Sequence, residues 1–252
     1  MRHCTNLFFA MCILLTSCVY PFVKDDTSFD KVINSFMHIR KTEKISISSC
    51  HDLYNLGRCD VIVSSLPPLE MNSTGSGTLI EWKGRKLGLT AAHICESAIP
   101  KSITKDGVKL DFSVEVNLQI CFIDSEKSIK AGATSSDTKN DLCVFQVSLE
   151  IHRIGLTIAK TMPKIGDVVR SAGAPQSVFE KGMVLNFDGR YSGRTVESID
   201  YYTIPASPGS SGSSIVDNKN NVVGVLHSAI KVFENVAICA SLEAIHALLE
   251  RH

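Results

Sequence analysis

From Val61 onward the chain alternates short apolar runs with clusters of Gly, Pro, Asn and Asp. The runs are Thr78–Ile80, Lys86–Ala91, Val114–Ile123, Leu142–Val147, Val168–Ala172, Val184–Asp188, Tyr201–Ile204, Ile215–Val216, Val222–Leu226 and Val236–Ala240. Many short strands with turn signals between them predict an all-β sandwich or barrel. Residues near 150–165 carry neither pattern and suit a linker between two such units. The period changes at the far end, where Ser241 to Glu250 sets good helix formers behind a serine in the N-cap position. That predicts a closing helix. Near the other end Phe29, Val32, Ile33 and Phe36 stand at helical spacing, predicting a short helix packed on the domain or a tether. The rest of 19–57 is polar and irregular and reads as an N-terminal extension.

Composition sharpens this only slightly. A chain of 252 residues, 44% of them apolar, is ample for one domain with a sizeable core. Lys+Arg and Asp+Glu both number 26, so charge gives no reason to expect a nucleic-acid partner. The sequence has no internal repeat, heptad run or P-loop. Residues 1–18 read as a targeting segment. Arg2 is its positive end, and the apolar run Leu7 to Leu15 is too short to span a bilayer. Leu15-Thr16-Ser17-Cys18 fits a lipobox, in which Cys18 would carry a lipid and attach the protein to a membrane. An ordinary signal peptide with Cys18 incidental is the other reading. Either one predicts export, as a periplasmic or cell-envelope lipoprotein or as a secreted protein.

The candidate chemistry sits in three pieces. Ser207-Pro208-Gly209-Ser210-Ser211-Gly212-Ser213-Ser214 describes a tight turn that lifts one hydroxyl out of the backbone and aims successive N–H groups at one spot, as an oxyanion hole requires. Upstream, Thr90-Ala91-Ala92-His93 ends an apolar run, and Asp141 opens the run Leu142-Cys143-Val144-Phe145. Four serines crowd the end of the loop, with Ser210, Ser213 and Ser214 the competitors of Ser211. Ser211 is the nucleophile of choice, because Gly209 then precedes it by two and Gly212 follows to let the chain turn away. His93 would act as general base, Asp141 would orient it, with Asp137 a nearby rival, and the N–H groups of Gly209 and Ser211 would hold the oxyanion.

With His, Asp and Ser in that chain order, the sequence resembles the chymotrypsin-like (trypsin-like) serine peptidases, and is nearest to the HtrA/Deg-type protease domain. The resemblance covers roughly residues 60–250. It includes the Gly-rich Gly75-Ser76-Gly77-Thr78, the segments Ile165-Gly166-Asp167 and Gly173-Ala174-Pro175, and the strand Gly224-Val225-Leu226. It implies two six-stranded antiparallel β-barrels with a C-terminal helix, the site lying in the cleft between them. It also implies a serine endopeptidase acting on protein or peptide substrates through an acyl-enzyme, with no cofactor and no metal. The protease domain would run from 58 to 252, after a signal at 1–18 and an extension at 19–57, without the PDZ domain of HtrA proteins. Position 210 is serine where the trypsin branch has an aspartate, so activation by a new N-terminus pairing there is not expected. Two alternatives stand beside this reading: a processing protease of narrow specificity, like glutamyl endopeptidases and viral enzymes, and a catalytically silent binding protein of the same fold.

In this family the strand holding Leu226, His227 and Ser228 forms a wall of the substrate pocket. Glutamyl and viral enzymes place a histidine there as Gly-x-His, whereas here the spacing is Gly-x-x-His. Because strand side chains alternate faces, the slip turns His227 away, towards Asp141, unless a bulge restores the register. Leu226 then faces the pocket, which favours an apolar P1 residue over Glu or Gln. The chain has nine cysteines, six of them beyond residue 18, and these allow 15 pairings. Cys50 and Cys59 are close enough in sequence to pair in an oxidising compartment. Cys143 and Cys239, in apolar strands, read equally well as buried free thiols.

Overall fold

The computed structural model describes residues 29–54, 57–148, 152–230 and 233–252. The targeting segment and Cys18 lie outside these residues. The N-terminal half contains β1 (Phe36–Asp52), β2 (Leu69–Trp82), β3 (Arg85–Thr90), β4 (Ser102–Lys105), β5 (Val108–Phe122), β6 (Ile129–Lys130), β7 (Thr134–Asp137) and β8 (Leu142–Gln146). They form one eight-stranded antiparallel sheet in the order β4-β5-β1-β2-β3-β8-β7, with β6 also paired to β5. The C-terminal half contains β9 (Val168–Gly173), β10 (Leu185–Arg194), β11 (Asp200–Tyr202), β12 (Ser214–Val216), β13 (Val222–Ile230) and β14 (Phe233–Ala240). These close into a barrel in the order β10-β11-β14-β13-β12-β9. The architecture is the expected all-β double barrel, with the first unit a half-barrel rather than a closed six-stranded one. Short helices punctuate it: α1 (Asp30–Ser35), α2 (Arg58–Ser65), α3 (Ala92–Cys95) and α4 (Leu242–Leu249).

Alternation explains why several strands read as continuous apolar runs. On β8, Cys143 and Phe145 fill the core of the N-terminal sheet, while Leu142 and Val144 join the larger core shared with the barrel and α4. Leu79 and Ile80 of β2 divide the same way. Both faces are buried, so neither can be polar. Removing a side chain such as fully buried Phe145 would cost about 3–5 kcal/mol. The closing helix forms where the sequence places it: the Ser241 hydroxyl accepts the Ala244 N–H at 3.2 Å, and Leu242, Ile245, Leu248 and Leu249 are buried. Among the described residues no helix is long and apolar enough to cross a membrane.

One stretch departs from the expected organisation. Residues 36–52, read as part of an extension, form β1, which pairs with β2 on one side and with β5 on the other. The domain therefore includes this stretch, and the expected boundary at residue 58 does not mark its start. The physical reason lies in its inward positions. His38, Lys41 and Glu43 are all buried, so the apolar alternation that announces a strand is interrupted. The preceding α1 is where helical spacing put it, with Val32 and Phe36 in the shared core.

Candidate active site

Three elements deliver the site. His93 lies in the single turn of α3, directly after Ala91 and Ala92, both buried. Asp141 ends the turn between β7 and β8 with φ of 50°, a left-handed conformation that costs an aspartate less than most residues. Its carboxylate accepts twice from one residue: the His93 backbone N–H at 2.9 Å and His93 Nδ1 at 2.7 Å. This fixes both the ring and the start of α3. Burial would push the Asp141 carboxyl up, but the two His93 hydrogen bonds and the His93 and His227 charges outweigh it and hold the pKa below the usual value. The rival Asp137 instead binds Asn140 and lies 3.6 Å from Arg251.

The serine loop supplies the third piece. Ser210, Ser213 and Ser214 are at most 2% exposed, whereas Ser211 is half-buried. Of these four serines only Ser211 escapes full burial. Gly209 and Gly212 both adopt positive φ, 94° and 89°. A Cβ at Gly212 would lie 2.0 Å from the Ser76 carbonyl oxygen and 2.1 Å from Thr90 Oγ1, so only glycine lets the loop seat against β2 and β3. Ser76 is the seat. Its N–H donates to the Ser211 carbonyl at 2.8 Å, its hydroxyl donates to the Gly209 carbonyl at 2.8 Å, and that hydroxyl accepts the Ala174 N–H. Thr90, three residues before His93, donates to the Ser76 carbonyl at 2.7 Å. The serine loop and the histidine turn thus share one anchor.

The backbone of the loop is oriented as well. The Pro208 carbonyl accepts the Gln176 N–H, from the turn after β9, at 2.6 Å. A trans peptide then directs the Gly209 N–H the opposite way. Among the described residues neither the Gly209 nor the Ser211 N–H has a hydrogen-bond partner. Two free donors on the loop that carries a half-buried serine can hold a developing negative charge.

Beside Ser211 lies a cavity of about 440 Å³ walled by Ala206, Pro208, Leu226, Ala229 and Ile230, with Ser228 on its rim of polar atoms. Among the described residues no charged side chain lines it. A second cavity, of about 580 Å³, lies by Phe122 and Arg153 and contains none of the residues above. His227 does not line the first cavity. The register shifts between Leu226 and Ser228, and the His227 Nδ1 stands 3.8 Å from Asp141 Oδ2. His227 thus faces Asp141 while Leu226 and Ser228 both line the cavity, as strand alternation predicts, and the register shift does not bring His227 into the pocket.

Sequence reasoning did not single out Lys41, whose buried ammonium donates to the His93 carbonyl at 3.0 Å and to the Glu96 carbonyl. Nor did it single out the Cys95–Cys143 disulfide, in which each cysteine follows a site residue by two. Cys143 is thus paired rather than free, while Cys121 and Cys239 are buried free thiols. Cys50 and Cys59 form the other disulfide, as their short separation predicts. Equal spacing of Cys95 and Cys143 behind His93 and Asp141 was the available signal.

A double barrel carrying an aspartate–histidine pair and a glycine-flanked serine loop anchored on the same residue, Ser76, points to the trypsin-like class of peptidase architecture. A family model for the trypsin-like peptidase domain matches residues 75–225, and the chain belongs to that family. No curated protein sequence gave a match. Among solved structures, the chain is similar to the Rv3671c protease of M. tuberculosis in its active form, with a TM-score of 0.60 and 16% identity over 91% of this chain and 86% of that one. It is also similar to the serine endoprotease of Yersinia pestis, with a TM-score of 0.60 and 15% identity over 89% of this chain and 64% of that one. At these identities the likeness is one of fold.

Proposed function

We propose that the protein is a serine endopeptidase with the triad His93, Asp141 and Ser211. The observation that carries this reading is the double hold of Asp141 on His93, in a site where Ser211 is half-buried while Ser210, Ser213 and Ser214 are buried. Ser211 Oγ attacks the scissile carbonyl carbon and passes its proton to His93 Nε2. Asp141 keeps Nδ1 protonated and stabilises the imidazolium. The N–H groups of Gly209 and Ser211 hold the oxyanion. Collapse returns the proton to the leaving amine and leaves an ester on Ser211, which water then attacks by the same route.

The apolar cavity favours a P1 residue of apolar character, and the direction of His227 disfavours the glutamyl or glutaminyl alternative. Two disulfides suit an oxidising compartment, which supports the export read from residues 1–18. The test is digestion of a peptide library by the wild-type protein and by Ser211→Ala. Cleavage after apolar residues should fall by ~10⁴-fold or more in the variant, with the fold intact. Activity retained in Ser211→Ala but lost in Ser210→Ala or Ser213→Ala would show that another serine is the nucleophile.

A further inference from the structure

His227 is left without a role by the chemistry above, although it is held against it. Its side chain is one quarter exposed, on the opposite side of β13 from the cavity-lining Leu226 and Ser228. It meets the same carboxylate oxygen that His93 uses. His93 Nδ1 lies 2.7 Å from Asp141 Oδ2, and His227 Nδ1 lies 3.8 Å from it. The second distance is too long for a hydrogen bond from a neutral ring but within reach of an ion pair. The charged groups facing His227 are Asp141, from the turn before β8, and His93, from α3.

We propose that His227 is a positioning residue: a second imidazole on Asp141 that leaves the carboxylate to His93 when neutral, and competes for it when protonated. The inference rests on the triad reading above. Its consequence follows from charge. Catalysis requires His93 to become an imidazolium, and Asp141 is its counter-ion. A protonated His227 would draw Oδ2 towards itself and set a like charge beside the nascent imidazolium. Both effects raise the barrier, so the peptidase turns itself down in acid through a group that never touches substrate. Burial pushes the His227 imidazole below its usual range, Asp141 pulls it up, and the His93 charge pushes it down again. The competing form is thus held off until the pH falls below that at which an ordinary histidine charges.

Two measurements on the full chain decide it. In the first, the acid limb of kcat against pH is recorded for wild type and for His227→Gln, each relative to its own plateau. Wild type should lose activity with a limiting slope near two, one proton each for His93 and His227, and the variant with a slope near one. Coinciding limbs would overturn the proposal. The second needs no activity. The His227 ring is titrated by nuclear magnetic resonance in wild type, in His93→Gln and in Asp141→Asn. Its midpoint should rise by more than about 0.3 pH unit in His93→Gln, which removes a repelling charge, and fall by as much in Asp141→Asn, which removes an attracting one. Midpoints unmoved in both would refute the coupling. A wild-type protein without peptidase activity would instead strike at the triad reading, while the titration would still judge His227.

Discussion

Lys41 sets the geometry of His93 from underneath. It projects from β1, is 4% exposed, and donates to two carbonyls of the α3 segment, those of His93 and Glu96. Glu43, two residues on and also buried, is its counter-ion at 3.5 Å, with one carboxylate oxygen otherwise unpaired. Removing one member of such a pair leaves an uncompensated charge, and Lys41→Met should cost roughly 3–5 kcal/mol in urea unfolding. The double variant Lys41→Met/Glu43→Leu removes both charges and should recover most of that stability. It cannot restore the donors to the His93 and Glu96 carbonyls, so kcat should remain depressed. A single variant within about 1 kcal/mol of wild type would show that the ammonium is not needed there.

Two disulfides join elements at different distances from the site, and the contrast between them separates stability from positioning. Cys95–Cys143 closes a separation of 48 residues and ties α3 to β8 just behind His93 and Asp141. Cys50–Cys59 closes a separation of 9 and pins α2 to the outer end of β1. Chain entropy predicts losses of about 4 and about 2–3 kcal/mol on replacing each pair by alanine. Only loss of the Cys95–Cys143 pair should also lower kcat, since it frees the two segments whose register sets the His93–Asp141 contacts. Equal kcat losses in the two variants would mean that the disulfides act only through global stability. The same elements show what was legible in the sequence. β8, β13 and α4 lie where apolar runs and the Ser241 cap put them, because their buried positions are predominantly apolar. The triad candidates were legible because glycine spacing and chain order are local signals. β1 was not, since it buries His38, Lys41 and Glu43, and partners for buried polar groups come from distant strands. Lys41 and Gln176 bond to backbone groups far away in the chain, and such contacts leave no motif to read.

At the scale of the whole molecule, the two halves meet along a seam that runs from Ser76 under the serine loop to His38 of β1. His38 is 4% exposed, neither ring nitrogen has a partner among the described residues, and its ring stacks at 4.7 Å on Phe179, from the segment between β9 and β10. Burial first, and the neighbouring Arg40 charge second, push its imidazole down from 6.5 to about 4. In the unfolded chain His38 takes up a proton as the pH drops through 6.5, whereas in the folded chain it does so only near 4. Between those values the unfolded state binds more protons, so stability is present above the window and is lost on acidification across it. The shift corresponds to ~3 kcal/mol, a large share of a typical domain's total. His227, also depressed, acts with the same sign, while Asp141 contributes stability that is lost only below the usual carboxylate range. Replacing His38 by leucine, similar in size and without a charge to gain, should therefore leave stability at pH 7 near wild type and flatten most of the decline between pH 6.5 and 4.5. Urea midpoints measured across that range for both proteins provide the check. Parallel declines in wild type and His38→Leu would place the acid sensitivity elsewhere than at the seam.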